Sequence, residues 1–323
     1  MVTRVLRYLA PNLVTLSSMI FGLVSLWASH TGDTPLAGWM IIYAVMTDRL
    51  DGLLARALRA TSEVGMQLDS FADFLNFGIA PAYMALVYLS SRPDLPFGDG
   101  TGKVLLFIAC GGFMLCAVFR LARYNVLSDD AMPTKMFFGF PTTLSGGTLT
   151  IWFLLLLKYD RLTPDFGGRK WFGDEVHTPL WAWKYFPIAI AVGGYLMASR
   201  LPMPKVGMTR SKVVSAVLLA LLAFGYLCGF AMMWPELIFW MPTVWSIVFL
   251  IWGQASARAR AMYPPPLFKF TDDAEVGANA KPKTRPQEDL EDLVLDESRP
   301  SSDSLDRGGG GEHGTSSPTK KGD

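Results

Sequence analysis

Apolar runs recur along this chain at the length a lipid bilayer demands. About eight stretches of roughly 17–25 residues lie near 12–30, 36–58, 66–90, 103–126, 139–158, 182–200, 212–232 and 236–256; a helix of that length crosses about 30 Å of hydrocarbon. The hydrophobic set makes up 51% of the chain and charged residues only 18%, with a mean hydropathy of +0.29. That excludes an ordinary soluble domain of this size. The expected fold is an all-α polytopic membrane protein with about eight transmembrane helices. No nucleic-acid partner is expected.

Charge is unevenly spread around the runs. Arg4 and Arg7, Arg56 and Arg59, Arg123 and Lys135, Arg200 to Lys212, and Arg258 and Arg260 all fall in alternate connections. The opposite loops are shorter or charge-balanced. This is the positive-inside pattern with both ends cytoplasmic. The first run follows two arginines without a small-residue cleavage site, so it reads as an uncleaved span. Residues 1–10 read as a basic amphipathic lead on the membrane surface, turned inward at Pro11. The hydrophobic pattern stops at Pro264. The acidic, Pro-, Ser- and Gly-rich remainder cannot bury enough surface to order itself. The expected division is a transmembrane domain over 1–260 and a disordered cytoplasmic tail over 261–323.

Four aspartates interrupt the second and third runs: Asp48 and Asp51, then Asp69 and Asp73. An ionised carboxylate in a span is costly and marks a functional candidate. On helices, Asp48, Asp51, Gly52 and Ala55 share one face, and Gly65, Asp69, Asp73 and Asn76 share another. A connection of about ten residues lets the two helices pack antiparallel, with the carboxylate faces meeting. Such a set suits hard divalent cations, and two ions can grip a diphosphate. Gly52 and Ala55 leave room for a ligand at the helix backbone, and Arg56 lies one turn beyond Gly52. The site is expected at the cytoplasmic ends of its helices. A set of structural carboxylates paired with Arg49, Arg56 and Arg59 does not explain four acids at this spacing. A divalent-cation transporter is a further reading, but it would scatter acids through several spans along a path.

The run from Asp48 to Asp73 reads D-x2-D-G-x2-A-R-x8-G-x3-D-x3-D. It resembles the signature of the CDP-alcohol phosphotransferase family at every fixed position. Leu68–Ala82, Arg120–Val126, Phe137–Pro141 and Leu196–Pro202 are also similar to stretches of one branch, the bacterial membrane-integral phosphatidylserine synthases. Thr142 to Ser145 depart from that branch's usual Pro/Ala pattern. The resemblance covers about residues 8–255 and excludes the tail. It implies transfer of a phosphatidyl group from a CDP-linked lipid to an alcohol, with release of CMP. Asp48, Asp51, Asp69 and Asp73 would hold two divalent ions, Mg²⁺ or Mn²⁺, and Asp73 would also act as general base. Gly52, Ala55, Arg56 and Gly65 would shape the CDP site. The implied partners are CDP-diacylglycerol, L-serine, membrane lipid and a second copy of the chain, and the implied location is the bacterial inner membrane. Inositol phosphate, glycerol phosphate or choline are alternative acceptors. No extra basic cluster for a phosphorylated acceptor is evident, which favours serine.

Arg120 and Arg123 lie near the cytoplasmic end of the fourth run, and a guanidinium can hold a serine carboxylate bidentately. Asp33, Asp94, Asp99, Asp160, Asp165 and Asp174 read as solvated loop residues. The three cysteines read as small buried hydrophobes. The three histidines read as surface residues, and the tryptophans as interfacial aromatics. Gly22, Gly78, Gly111, Gly112, Gly146, Gly147, Gly193 and Gly194 are expected to permit helix–helix approach.

Overall fold

The computed structural model describes residues 2–58, 62–127, 136–163, 166, 169–204, 220 and 223–255. The predicted tail, and about half of the predicted span at 212–232, lie outside the described residues.

Two helices, α1 (Val2–Thr31) and α2 (Thr34–Leu58), form a hairpin whose turn rests on two residues. Gly32 adopts φ 89°, a left-handed conformation that ends α1 without a Cβ clash. Asp33 Oδ1 then accepts the Leu36 amide at 3.1 Å and caps α2. The expected inward turn at Pro11 is not made. α1 continues through Pro11. A proline inside a membrane-type helix forgoes one amide bond to the preceding turn without ending the helix.

The second acidic helix is α3 (Glu63–Asp73), begun by Ser62, whose Oγ accepts the Gly65 amide at 3.0 Å. Gly65 therefore belongs to α3 rather than to the connection from α2. A π-helical turn (Phe74–Ile79) follows directly, then α4 (Ala80–Ser91). Pro81 has no N–H to return to the turn before it, which favours this widened geometry.

Beyond lie α5 (Gly100–Leu127), β1 (Met136–Phe138), α6 (Thr142–Lys158), α7 (Leu180–Ala198), β2 (Pro202–Pro204), α8 (223–230) and α9 (Pro235–Ala255). β1 and β2 pair antiparallel, with Phe137 opposite Met203. This short ribbon is the described exception to an all-α fold. Two-proline β2 fits a ribbon edge, where a missing donor is tolerated.

Among the described residues, three segments are long and apolar enough to cross a membrane: Leu9–Thr31, Glu63–Ser91 and Gly100–Asn125. By length and composition the chain is a helical membrane protein.

The core gathers on the π turn. Phe77 is fully buried with Met84, Leu89, Phe113, Phe153 and Trp183. α1 packs along α2 and also meets α3, the π turn and α4, while α6 packs on the π turn from the other side. A Cβ at Gly146 would lie 2.5 Å from the Phe77 carbonyl oxygen, so α6 approaches the turn backbone to backbone. Gly111 and Gly112 differ from expectation: a Cβ at either meets nothing within 4 Å. Trp39 and Trp183 also differ, being core residues rather than interfacial ones.

Asp160 is not a solvated loop residue. It is buried against Arg92, and its Oδ2 also accepts from Tyr88 at 2.9 Å. Arg92 lies just beyond α4 and holds Asp94 through two bonds of 2.7 and 2.6 Å, which keeps that carboxyl below the usual carboxylate range. Nearby, Lys158 and Glu236 form a pair at 2.8 Å, each 2% exposed, with Tyr159 donating to Glu236 at 2.7 Å. Charged groups in an apolar interior persist when paired and hydrogen-bonded.

Candidate metal centre

Oxygens of Asp48, Asp51 and Asp69 converge, each within 4.8 Å of the others. The first two come from adjacent turns of α2 and the third from the middle of α3. A divalent cation with oxygen ligands at about 2.0–2.6 Å requires ligand separations of this order. Without a cation, three carboxylates so close would repel strongly. The donor set is all oxygen, which suits a hard ion.

Asp51 is 5% exposed and held from α1 by Thr15 Oγ1, which donates to Oδ2 at 2.9 Å. Asp48 is half-buried and Asp69 exposed. The cluster thus runs from a buried floor to an open edge, as a site reached by a bulky ligand requires.

Asp73 lies outside the three-oxygen cluster but touches it. Its carboxyl is in side-chain contact with Asp48, and Asp48 also faces Thr143 at the start of α6. Asp73 Oδ1 is buried without a hydrogen-bond partner. On its other flank stands Arg120. Arg120 is 9% exposed, donates from Nη1 to Thr142 Oγ1 at 2.7 Å, and has a buried Nε without a partner. An unsatisfied buried acceptor and an unsatisfied buried donor on neighbouring residues fit a site built for a polar ligand.

The other predicted residues divide. Gly52 is exposed beside Asp51, and a Cβ there would meet nothing within 4 Å, so it borders open space. Gly65 is packed instead: a Cβ would lie 3.0 Å from both Asn12 Oδ1 and Ser62 Oγ. Ala55 and Arg56 belong to α2, but their side chains lie outside the described residues. Arg123 points its terminal nitrogens at the carbonyls of Phe138, Ala198 and Ser199, away from the carboxylates.

Several partners escaped the sequence reading. Thr15 holds Asp51, and Thr143 faces Asp48. Asn76 Nδ2 donates to Ser18 Oγ at 3.2 Å, and Asn125 Nδ2 donates to Ser70 Oγ at 2.9 Å. The signal for Thr15 and Ser18 was a hydroxyl pair three apart within an apolar run. Asn76 had been visible on the stripe of Asp69 and Asp73. Its Oδ1 sits where a Cβ on Gly22 would approach to 2.1 Å, so Gly22 makes room for it.

The profile of the CDP-alcohol phosphatidyltransferase family matches residues 8–192, and the chain belongs to that family. Among particular relatives, the Mycobacterium tuberculosis protein named CDP-diacylglycerol–serine O-phosphatidyltransferase is 30% identical over 259 residues, 79% of this chain and 81% of that one. The Helicobacter pylori protein of the same name is 31% identical over 152 residues, 47% of this chain and 60% of its own length. The Bacillus subtilis protein of that name is 28% identical over 199 residues, 60% of this chain and 89% of that one.

Proposed function

We propose that the chain is a CDP-diacylglycerol–serine O-phosphatidyltransferase, moving a phosphatidyl group from CDP-diacylglycerol to L-serine and releasing CMP. The observation that carries this is the convergence of Asp48, Asp51 and Asp69 beside the unpartnered buried oxygen of Asp73. The relatives' shared name supplies the substrates.

Asp48, Asp51, Asp69 and Asp73 would hold divalent ions, two of Mg²⁺ or Mn²⁺. Ions bound there would neutralise the diphosphate and the departing CMP oxygen. The chain's own groups do the rest. Asp73 takes the proton of the serine hydroxyl. That oxygen bonds to the phosphorus bearing diacylglycerol as the bond from phosphorus to the CMP oxygen breaks. Arg120, one flank away, binds the serine carboxylate and orients the hydroxyl toward Asp73. Gly52 leaves the backbone open to the nucleotide, and Ala55, Arg56 and Gly65 complete that wall.

The same reading sets the chain in a bacterial inner membrane with eight spans. Residues 1–260 form the catalytic domain, the site faces the cytoplasm, and residues 261–323 are a cytoplasmic tail. A homodimer is part of this reading. The test is purified protein with CDP-diacylglycerol, Mg²⁺ or Mn²⁺ and a panel of alcohols, scored by CMP release. Release with serine is expected. Release only with inositol phosphate, glycerol phosphate or choline would overturn the acceptor.

A further inference from the structure

Arg120 and Arg123 stand three positions apart on one face of α5, yet they serve different partners. We infer that Arg123 is a positioning residue: it pins the turn that leads into α6 and so sets the acceptor side of the site. The inference rests on the proposed function.

Arg123 is 7% exposed. Its Nη2 donates to the carbonyls of Phe138 and Ser199, both at 3.0 Å, and its Nη1 to Ala198 at 3.1 Å. Those carbonyls belong to two segments, the end of β1 and the end of α7. Carbonyls at a helix end lack intrahelical donors, and a cation is well placed there. Phe119 lies under the guanidinium at 5.8 Å.

The pinned chain is Gly139–Pro141. Gly139 has φ 84°, and a Cβ there would lie 2.7 Å from the Met197 and Ser199 carbonyls and 2.8 Å from Arg123 Nη2. Only glycine fits. The Gly139 amide donates to Leu201 at 2.9 Å and the Phe140 amide to Leu196 at 3.0 Å, closing the turn on the end of α7. The next residues are Thr142 and Thr143. Thr142 receives Arg120, and Thr143 faces Asp48. Five consecutive residues thus connect the Arg123 cage to both flanks of Asp73. A serine carboxylate could grip Arg123 bidentately only by displacing a backbone carbonyl from Nη2, whose two N–H groups are both taken. Lysine offers a point charge rather than a planar fork and cannot bridge both segments.

The test uses the purified full chain with Arg123→Lys and, separately, Gly139→Ala, which perturbs the same turn while keeping Arg123 itself. Three readouts are taken: serine and CDP-lipid KM by CMP release, the preference for serine over an amino alcohol lacking the carboxylate, and amide hydrogen exchange over residues 138–146. Both variants are expected to raise serine KM at least about tenfold. CDP-lipid KM should move less than about twofold, acceptor preference should hold, and exchange over 138–146 should quicken. Unchanged exchange in Arg123→Lys would overturn the inference. So would loss of serine preference confined to Arg123→Lys, which marks direct carboxylate binding. If the unaltered protein released no CMP with any alcohol, the proposed function would fall, while the exchange measurement would still decide whether Arg123 holds the turn.

Discussion

Thr15 donates its hydroxyl to Asp51 Oδ2 at 2.9 Å across 36 positions of sequence. Asp51 on α2 is therefore oriented from α1, a helix with no acidic residue of its own. Partners of this kind fix the lone pair a ligand offers to its ion, and their loss typically weakens metal binding about 10–100-fold. Thr15→Val should raise the Mg²⁺ concentration for half-maximal CMP release by about tenfold, and Thr15→Ser should restore most of it. A metal titration of the three proteins decides the matter, and superimposable curves would remove Thr15 from the site.

Asp73 is expected to matter for turnover rather than for holding the nucleotide lipid. General-base catalysis contributes about 10²–10⁴-fold, so Asp73→Asn should lower kcat by at least about that much. Affinity for CDP-diacylglycerol, measured by equilibrium binding, should stay close to that of the unaltered protein. A loss of binding as large as the loss of rate would assign Asp73 to the ligand set alone.

Close backbone approach at the π turn gives a stability prediction with its own control. Gly22→Ala drives a methyl into Asn76 Oδ1, and Gly146→Ala drives one into the Phe77 carbonyl, whereas Gly111→Ala meets nothing. Overpacking of this kind costs about 1–3 kcal/mol. Thermal unfolding in detergent should show lowered midpoints for the first two and little change for the third. Equal shifts at all three would mean that the packing around the π turn is not what limits stability.

Lys158 and Glu236 are buried together at the end of α6 opposite Thr142. Removing one charge leaves the other unpaired, a loss of about 3–5 kcal/mol. Glu236→Gln should unfold at markedly lower temperature, and Lys158→Met with Glu236→Met should recover much of the difference. Specific activity of the folded fraction should be retained, because the pair stands a helix length from the carboxylates. Activity falling in step with stability in both variants would tie the pair to the site.

Much of the site was legible because its chemistry is written in spacing. Carboxylates three and four apart in apolar runs must share a helix face, and Asp48, Asp51 and Asp69 do converge. What spacing could not supply was the third element. Thr15 and Thr143 reach the acids from α1 and α6, and no local periodicity links positions so distant. The π turn was hidden as well, since its residues read as an ordinary apolar helix and only Pro81 hints at the widened geometry. Asp160 was misread because a loop aspartate looks solvated until its distant partner, Arg92, is placed beside it. The acceptors of Arg123 were hidden for a related reason: backbone carbonyls leave no trace in sequence.

The central claim is that carboxylates from α2 and α3 hold divalent cations for a nucleotide lipid. Serine-dependent CMP release from CDP-diacylglycerol tests it most directly, measured in chelator and then with Mg²⁺ or Mn²⁺ restored, for the unaltered protein and Asp51→Asn. Release should vanish in chelator, return with the metal, and return weakly or only at much higher metal in Asp51→Asn. Full-rate release in chelator would contradict the account.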